Sequence, residues 1–361
     1  MDGIDRVLLN AIQTGFPVED RPYAVLGCQA GISETKAWER ISVLRREGII
    51  RRLGGVFDSH RLGYFSTLCA AKVPADKVET VSALLAAVPG VTHNYLRNHA
   101  YNMWFTLIAS TEAKAAEILR ELRWQSGVEA IYSLPAERLF KIKVDFDFLS
   151  GYSATGEPSF VLEGGLAGGR PSEKESRELG VKPAGSSGQF PGRWDKGSGT
   201  PVCLTERDIA LIRLLQEDLP AGLEPYVELA EELGWTSEEV VLRTRALQEM
   251  GALRRFGAVL RHQRAGFTTN AMGVWQVPPD RAVLAGEIMA GFRAVSHCYQ
   301  RPTLPDWPYN LFTMIHGRSA EECSQVMRGI ARATGLNRYN MLFSIKELKK
   351  SSMKYFVDSE L

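Results

Sequence analysis

Apolar residues along the chain fall first at helical spacing and then at strand spacing, and this order occurs twice. Near the start, apolar residues between Ile4 and Ile12 lie on one face of a helix. A second helix is predicted over about 21–30. Gly31 ends it, and Ser33 can cap a third helix. Three short helices with a tight turn before the third are typical of a helix-turn-helix unit.

The same signals return after residue 200. Thr205 is placed to cap a first helix and Gly234 to end a second, while Thr236 and Glu239 predict a capping box for a third. Each third helix is followed by a short apolar and basic stretch, "RRLGGV" at 51–56 and "RRFGAV" at 254–259, which predicts a small wing. Each half of the chain therefore opens with a winged helix-turn-helix.

The rest of each half has the order β-α-β-β-α-β. In the first half strands are predicted at 64–73, 91–97, 101–109 and 130–142, with helices at 76–88 and 111–126. In the second half strands are predicted at 267–277, 294–301, 309–316 and 339–347, with helices at 279–291 and 319–334. This order predicts an α+β, ferredoxin-like fold with helices on one face of an antiparallel sheet. The other face is open, and two such sheets in one chain can cover each other.

The two halves are copies of one unit. "GIIRRLGGVFDSHRLGY" begins at Gly48, and "GALRRFGAVLRHQRAGF" begins 203 residues later at Gly251. After an insertion of four residues in the second half, Tyr101-Asn102 is matched by Tyr309-Asn310. The predicted domains are two winged helix-turn-helix units at 1–60 and 201–263, two ferredoxin-like domains at 61–149 and 264–361, and a Gly/Ser/Pro-rich linker at 150–200.

Composition narrows the classes of function. The 361 residues carry a net charge of +1, so binding of nucleic acid or an acidic ligand requires a local basic patch. The five cysteines form no CxxC pair, which argues against structural zinc or a disulfide framework and favours a reducing cytoplasm. The N-terminus does not resemble a signal peptide, and no apolar run has membrane-spanning length.

One stretch in each half carries unusual chemistry for a strand. His93, Tyr95 and Arg97 alternate along the first, and "VSHCYQR" at 295–301 repeats the trio as His297, Tyr299 and Arg301. Alternating residues of a strand share a face, so each trio lies on one side of its sheet. A face of histidine, tyrosine and arginine is not an ordinary packed core, and its repetition indicates a site.

The combined architecture resembles the Lrp/AsnC family of regulators. The stretches "HNYLRNHAYNMWFTL" and "HCYQRPTLPDWPYNLFTMIHG" resemble, more specifically, the siroheme decarboxylases of the Ahb and Nir types. Those enzymes usually have two related subunits, which here look fused into one chain. The resemblance implies conversion of siroheme to 12,18-didecarboxysiroheme with loss of two CO₂, on a route to haem or haem d1.

The residues fit this chemistry. A histidine can supply the proton that replaces each CO₂, which favours His93 and His297 as general acids, with Tyr95 and Tyr299 orienting them or relaying a proton. Either histidine can alternatively ligate the substrate's iron. No further cofactor is expected, since the iron belongs to the substrate. The predicted substrate-binding residues are the cations Arg97, Arg301, Arg51 and Arg254 and the loop and strand residues Tyr101, Asn102, Trp104, Trp307, Tyr309 and Asn310.

Two other functions remain open. A DNA-binding regulator needs a basic third helix, but that of the second half begins with Glu238 and Glu239, so DNA is not the expected partner. A haem or siroheme sensor would share the pocket and differ only in turnover. The expected assembly is an internal pseudo-dimer of the two halves, with further homo-oligomerisation left open. His60 is expected at the surface, and a structural role is favoured for His316.

Overall fold

The computed structural model describes residues 1–142, 200–260 and 269–357, together with the backbone of 194–195. Apart from Trp194, Asp195 and Thr200, the predicted linker lies outside the described residues. The helices of the first half are Gly3–Thr14 (α1), Pro22–Ala30 (α2), Glu34–Arg46 (α3), Val78–Ala87 (α4) and Glu112–Ser126 (α5). Those of the second half are Glu206–Leu215 (α6), Pro225–Leu233 (α7), Ser237–Glu249 (α8), Ala282–Gly291 (α9) and Ala320–Thr334 (α10).

The strands before residue 200 are Ile50–Phe57 (β1), Phe65–Ala71 (β2), Val91–Arg97 (β3), Met103–Ala109 (β4), Ile131–Pro135 (β5), Arg138–Ile142 (β6) and Trp194–Asp195 (β7). Those after it are Leu253–Leu260 (β8), Thr269–Trp275 (β9), Val295–Gln300 (β10), Leu311–Gly317 (β11) and Tyr339–Lys350 (β12). The predicted elements are present, with one difference. The single strand predicted at 130–142 is two strands, β5 and β6, which pair with different partners.

Local signals begin and end the helices as predicted, with one exception. Thr205 caps α6 in a full capping box with Asp208. Gly31 and Gly234 end their helices at φ 68° and 66°, where a side chain is strained. The box predicted on α8 is only half formed. Thr236 Oγ1 accepts the N–H of Glu239 at 3.2 Å, but the Glu239 carboxylate contacts arginines instead.

The two helix-turn-helix units share one hydrophobic core and one β-ribbon. Leu8, Ile41, Leu211 and Val240, from both halves, are buried in that core. The predicted wings β1 and β8 pair antiparallel with each other, with Gly54 opposite its own repeat partner Gly257. Any side chain at either glycine would collide with backbone, since an added Cβ would lie 2.3 Å from Glu217 O or 2.4 Å from Ile12 O. The wings therefore join the halves across a pseudo-twofold axis.

The ferredoxin-like sheets are joined edge to edge into one sheet with the strand order β5-β2-β4-β3-β12-β9-β11-β10-β6-β7. The last strand segment of each half leaves its own sheet and pairs with the other half. β12 pairs first with β9 and then with β3, while β6 pairs with β10. Helices α4 and α5 cover the outer face of the first sheet, and α9 and α10 cover that of the second. The prediction that the two open faces cover each other is confirmed, because Trp104 and Leu134 share a buried cluster with Met272 and Phe312.

Candidate active site

A cavity of about 1130 Å³ lies between the inner sheet faces and the β1–β8 ribbon. Both halves line it, and each contributes its complete trio: His93, Tyr95, Arg97, His297, Tyr299 and Arg301. Strand alternation accounts for each trio, and the exchange of strands between halves brings the two trios to one space. The volume slightly exceeds the usual range for small-molecule sites, as a large ring would require.

In the first half, His93 and Tyr95 stand side by side, with ring centroids 6.4 Å apart. His93 Nδ1 is 3.0 Å from the hydroxyl of the preceding residue, Thr92. The Tyr95 hydroxyl donates to the Glu347 carboxylate on β12 at 3.2 Å. With Nδ1 engaged, Nε2 is the ring nitrogen of His93 that is left for a ligand in the cavity.

In the second half the same pair is extended by a third histidine. His297 Nδ1 is 2.9 Å from the Ser296 hydroxyl, and that hydroxyl is 3.0 Å from Nε2 of His316. His316 lines the cavity. Sequence reasoning favoured a structural role for it. The signal that it shares the site was the alternation of Phe312, Met314 and His316 along β11, all three of which line the cavity.

Burial makes all three histidines weak bases in this structure. Burial, assisted by Lys350 and Arg51, lowers the pKa of His93 to about 4. Burial, with His316 and Arg254 nearby, lowers the pKa of His297 to about 3. Burial, Lys350 and Arg97 lower the pKa of His316 to about 4. The imidazoles are therefore neutral near pH 7 while the surrounding cations lack an anionic ligand.

Arg97 and Arg301 are buried cations at equivalent positions, 4% and 9% exposed. Each donates one N–H across the pseudo-dimer, Arg97 to Leu342 O at 2.9 Å and Arg301 to Leu134 O at 2.6 Å. Neither forms an ion pair with any carboxylate among the described residues, and the buried Nε of each has no hydrogen-bond partner there. Burial lowers the pKa of both to about 10. Buried guanidinium groups without a carboxylate are ready to bind an anionic ligand.

The ribbon supplies further cations. Arg51 and Arg254 line the cavity, as the sequence predicted for substrate-binding residues. Arg51 donates to Lys350 O at 2.9 Å, and Arg254 is paired with Asp58 at 2.5 Å. His60, which was expected at the surface, lines the cavity as well. The ribbon brings it there because β1 leads directly from the helix-turn-helix unit into this wall.

Trp104 lines the cavity, but the three other aromatic candidates lie beside it in a packed cluster. Trp307, from the loop with the four-residue insertion, is 1% exposed and lies 5.1 Å from Trp104 between ring centroids. Tyr101 and Tyr309 flank Trp307 at 5.4 and 4.9 Å. The Tyr101 hydroxyl donates to Asp306 at 2.7 Å. Here the inserted loop packs one half against the other.

Asn102 and Asn310 are placed away from the cavity. Asn102 accepts the N–H of Val73 at 2.9 Å and donates to its carbonyl at 2.8 Å. Asn310 makes the equivalent pair with Val277, at 2.9 Å in both directions. Each side-chain amide thereby links the start of one strand to the end of a neighbouring strand. This geometry does not support substrate binding at either position.

Family models match both halves of the chain. The AsnC-like ligand binding domain matches residues 61–141 and 264–349, and the siroheme decarboxylase NirDL-like HTH domain matches 5–51 and 208–254. A siroheme decarboxylase of Hydrogenobacter thermophilus is 37% identical over 350 residues, which are 97% of this chain and 94% of that protein.

The alpha subunit of a siroheme decarboxylase of Desulfovibrio desulfuricans is 53% identical over 146 residues, 40% of this chain and 84% of that subunit. A crystal structure of the siroheme decarboxylase NirDL in complex with an iron-uroporphyrin III analogue is 32% identical. It covers 99% of this chain and 95% of its own, with a TM-score of 0.69. With full-length relatives, a half-length subunit and both kinds of domain in agreement, the chain belongs to the siroheme decarboxylase family.

Proposed function

We propose that this protein converts siroheme to 12,18-didecarboxysiroheme with release of two CO₂, in the biosynthesis of haem or haem d1. The observation that carries the proposal is the shared cavity, which is lined by a His-Tyr-Arg trio from each half. The buried arginines of these trios have no carboxylate partner within the part of the chain that the structure describes. Membership of the siroheme decarboxylase family supports the same activity.

The cavity fits a flat macrocycle with eight carboxylates. Trp104, Phe312 and Met314 offer apolar surface to the ring. Arg97 and Arg301 can each bind a rim carboxylate through the donors that the backbone leaves free. These arginines hold carboxylates that do not react, because a cation on a departing carboxylate would stabilise the ground state more than the transition state.

Each decarboxylation consumes one proton, since an acetate arm R–CH₂–COO⁻ and H⁺ become R–CH₃ and CO₂. The electrons left by the departing CO₂ pass into the macrocycle and return to the carbon with the proton, so we propose no additional cofactor. His93 and His297 act as the general acids through Nε2. Burial lowers the two pKa values most, and the nearby cations lower them further. Substrate carboxylates compensate those cations, so binding of siroheme raises the two pKa values and favours protonation of the histidines. Tyr95 and Tyr299 lie against the imidazoles and orient them.

One chain supplies both walls of the cavity, so we propose a stoichiometry of one siroheme per chain, with the pseudo-dimer of the two halves as the complete unit. Among the described residues, no helix has both the length and the hydrophobicity to cross a bilayer. The cytoplasmic location remains the expectation drawn from the cysteine pattern.

We propose no role in reading DNA, because the third helices are tied to the opposite half. Arg45 of α3 donates to Leu219 O and pairs with Asp218, both at 2.7 Å. Arg245 of α8 donates to Val18 O at 3.0 Å and pairs with Glu19 at 2.7 Å. Basic side chains held in this way are not available for phosphate contacts unless these contacts between the halves break.

Anaerobic incubation of the purified protein with siroheme, followed by mass spectrometry of the tetrapyrrole, tests the proposal. Loss of the mass of two CO₂ molecules is the expected result. Tight siroheme binding without a change in mass would instead identify a sensor. If neither binding nor a mass change occurs, the tetrapyrrole assignment is wrong, and binding to DNA fragments becomes the next measurement.

A further inference from the structure

The groups hydrogen-bonded to the cavity histidine of each trio differ between the two halves. In both halves the cavity histidine is preceded by a hydroxyl residue that contacts its Nδ1, Thr92 at 3.0 Å in the first and Ser296 at 2.9 Å in the second. Only in the second half is a further imidazole hydrogen-bonded to that hydroxyl in the described structure, His316 Nε2 at 3.0 Å. The second half thus holds a continuous chain from His316 through Ser296 to His297.

The repeat explains why the first half has no such chain. With Tyr101-Asn102 aligned on Tyr309-Asn310, the position of His316 on β11 corresponds to Ile108 on β4. Ile108 is buried in the helix-turn-helix core and carries no donor or acceptor in its side chain. The hydroxyl of Thr92 can therefore orient His93, but the equivalent strand position offers nothing from which a proton could come.

We propose that His316 reprotonates His297 through the Ser296 hydroxyl. The second half of the chain is then the main proton donor of the enzyme. This inference rests on the proposed decarboxylase function. In the step, Nε2–H of the His316 imidazolium passes its proton to Ser296 Oγ, and the Ser296 proton moves to Nδ1 of His297. Nε2–H of His297 then protonates the carbon that has lost CO₂. His316 ends neutral, and one proton has entered the product.

The charges around His316 tie this step to substrate binding. Burial opposes the protonation of His316 most, and Lys350 from β12 and Arg97 from β3 oppose it further. His297 lies at the other end of the hydrogen-bond chain. A ligand with many carboxylates neutralises Lys350 and Arg97 and so favours the imidazolium. Ser296 Oγ also lies 3.3 Å from Met314 O, a longer contact than either of its contacts with histidine. The hydroxyl can therefore turn toward His297 without losing a strong hydrogen bond.

Two variants interrupt the hydrogen-bond chain from His316 to His297 at different points. His316→Gln keeps an N–H donor for Ser296 but holds no transferable proton, and Ser296→Ala removes the link while leaving His316 in place. Thr92→Ala is the matched control, since it removes the equivalent hydroxyl in the first half. Single-turnover decarboxylation across a pH series gives the rate of the chemical step. The Kd comes from siroheme absorbance, and a thermal melt reports folding.

We expect His316→Gln and Ser296→Ala each to lower the rate of single-turnover decarboxylation by about a hundredfold. This is the lower end of the range for a positioned general acid. Siroheme affinity should stay near that of the unaltered protein, and the fall in rate with rising pH should move to lower pH because His297 must then be protonated directly. Thr92→Ala should have a clearly smaller effect.

A normal rate and pH profile in His316→Gln would overturn the relay, as would equal losses in Ser296→Ala and Thr92→Ala with no change in pH profile. Weaker binding at an unchanged rate would make His316 a substrate contact instead. If His316→Gln does not fold, Ser296→Ala decides alone. Failure of the unaltered protein to release CO₂ would reject the decarboxylase function itself, which is a different result.

Discussion

The two walls of the cavity carry the same trio but place it in different surroundings. His93 stands opposite Lys350 in the strand register, and Ile108 occupies the position of a third histidine. His297 stands opposite Ile142, and His316 is its partner through Ser296. The duplicated unit has kept its His-Tyr-Arg trio and changed the neighbours, so identical residues lie in different charge and hydrogen-bonding surroundings.

The two tyrosines of the trios also have different neighbours. Tyr95 donates to Glu347, while Tyr299 is opposite Leu139, the repeat partner of that glutamate. Burial raises the pKa of both tyrosines, and Glu347 raises that of Tyr95 further. Both hydroxyls therefore stay protonated at neutral pH, but within the described ranges only the Tyr95 hydroxyl is hydrogen-bonded to a carboxylate.

Replacement of His93 and His297 in turn should show the largest difference between the two halves. We expect His297→Ala to lower kcat by roughly a thousandfold, within the range for loss of a general acid, and His93→Ala to have a smaller effect. The reason is that, among the described residues, only His297 is linked through a hydroxyl to a further imidazole. Mass spectrometry of the products shows whether His93→Ala accumulates a species that has lost one CO₂. Equal losses in both variants would mean that the halves contribute equally.

The arginines should behave alike, because their contacts are equivalent. Arg97→Gln and Arg301→Gln should each weaken siroheme binding by about tenfold to a hundredfold, the value of a charge-assisted hydrogen bond. Titration of siroheme absorbance measures this effect. A thermal melt of each variant separates lost substrate contacts from the lost bond to Leu342 O or Leu134 O. A large loss of stability with normal affinity would identify the arginines as purely structural.

Lys350→Ile makes the first wall resemble the second. Removing the ammonium group should raise the pKa of both His93 and His316, since Lys350 lowers both. NMR titration of the histidines tests that direction. Siroheme affinity should fall by roughly tenfold, because one cation facing the carboxylates is lost. Ile142→Lys is the matched control, and it should lower the pKa of His297 still further.

Acid should destabilise the unliganded protein. A histidine with a folded-state pKa below that of the unfolded chain binds fewer protons when folded, so stability falls as the pH drops from about 6.5 toward the folded-state value. For His93, His297 and His316 those values are about 4, 3 and 4. Thermal melts between pH 7 and pH 4 should show a falling Tm, with bound siroheme reducing the fall. A Tm that is constant over this window would contradict the assigned pKa values.

The asparagine pair should show the smallest effect on function. Asn102→Ala and Asn310→Ala each leave a Val73 or Val277 backbone group without a partner, at a cost of about 1–3 kcal/mol in unfolding free energy. Siroheme affinity should not change in either variant. Chemical denaturation and siroheme titration measure the two quantities separately. A large loss of affinity in a stable variant would restore these residues to the substrate site.

Much of the fold was accessible from local sequence signals. Caps such as Thr205, helix ends such as Gly31 and Gly234, and the alternation of apolar residues depend on neighbours within a few positions, so they can be predicted without knowing the fold. The repeat then established two equivalent halves, and strand alternation placed each His-Tyr-Arg trio on one face. The division of the strand predicted at 130–142 was missed, because it is caused by pairing with a sheet of the other half.

Contacts between distant parts of the chain determine which residues line the site. Strand alternation shows which side chains share a face, but only the register of β3 with β12 and of β10 with β6 decides that Lys350 stands beside His93 and Ile142 beside His297. The same holds for Asn102, which the sequence predicted to bind substrate and whose side-chain amide bonds to the Val73 backbone. Sequence patterns alone were enough to predict the two His-Tyr-Arg trios and the faces on which they lie. The tertiary structure decided that both faces meet in one cavity and that His316 joins them, because pairing between strands far apart in the chain leaves no local pattern.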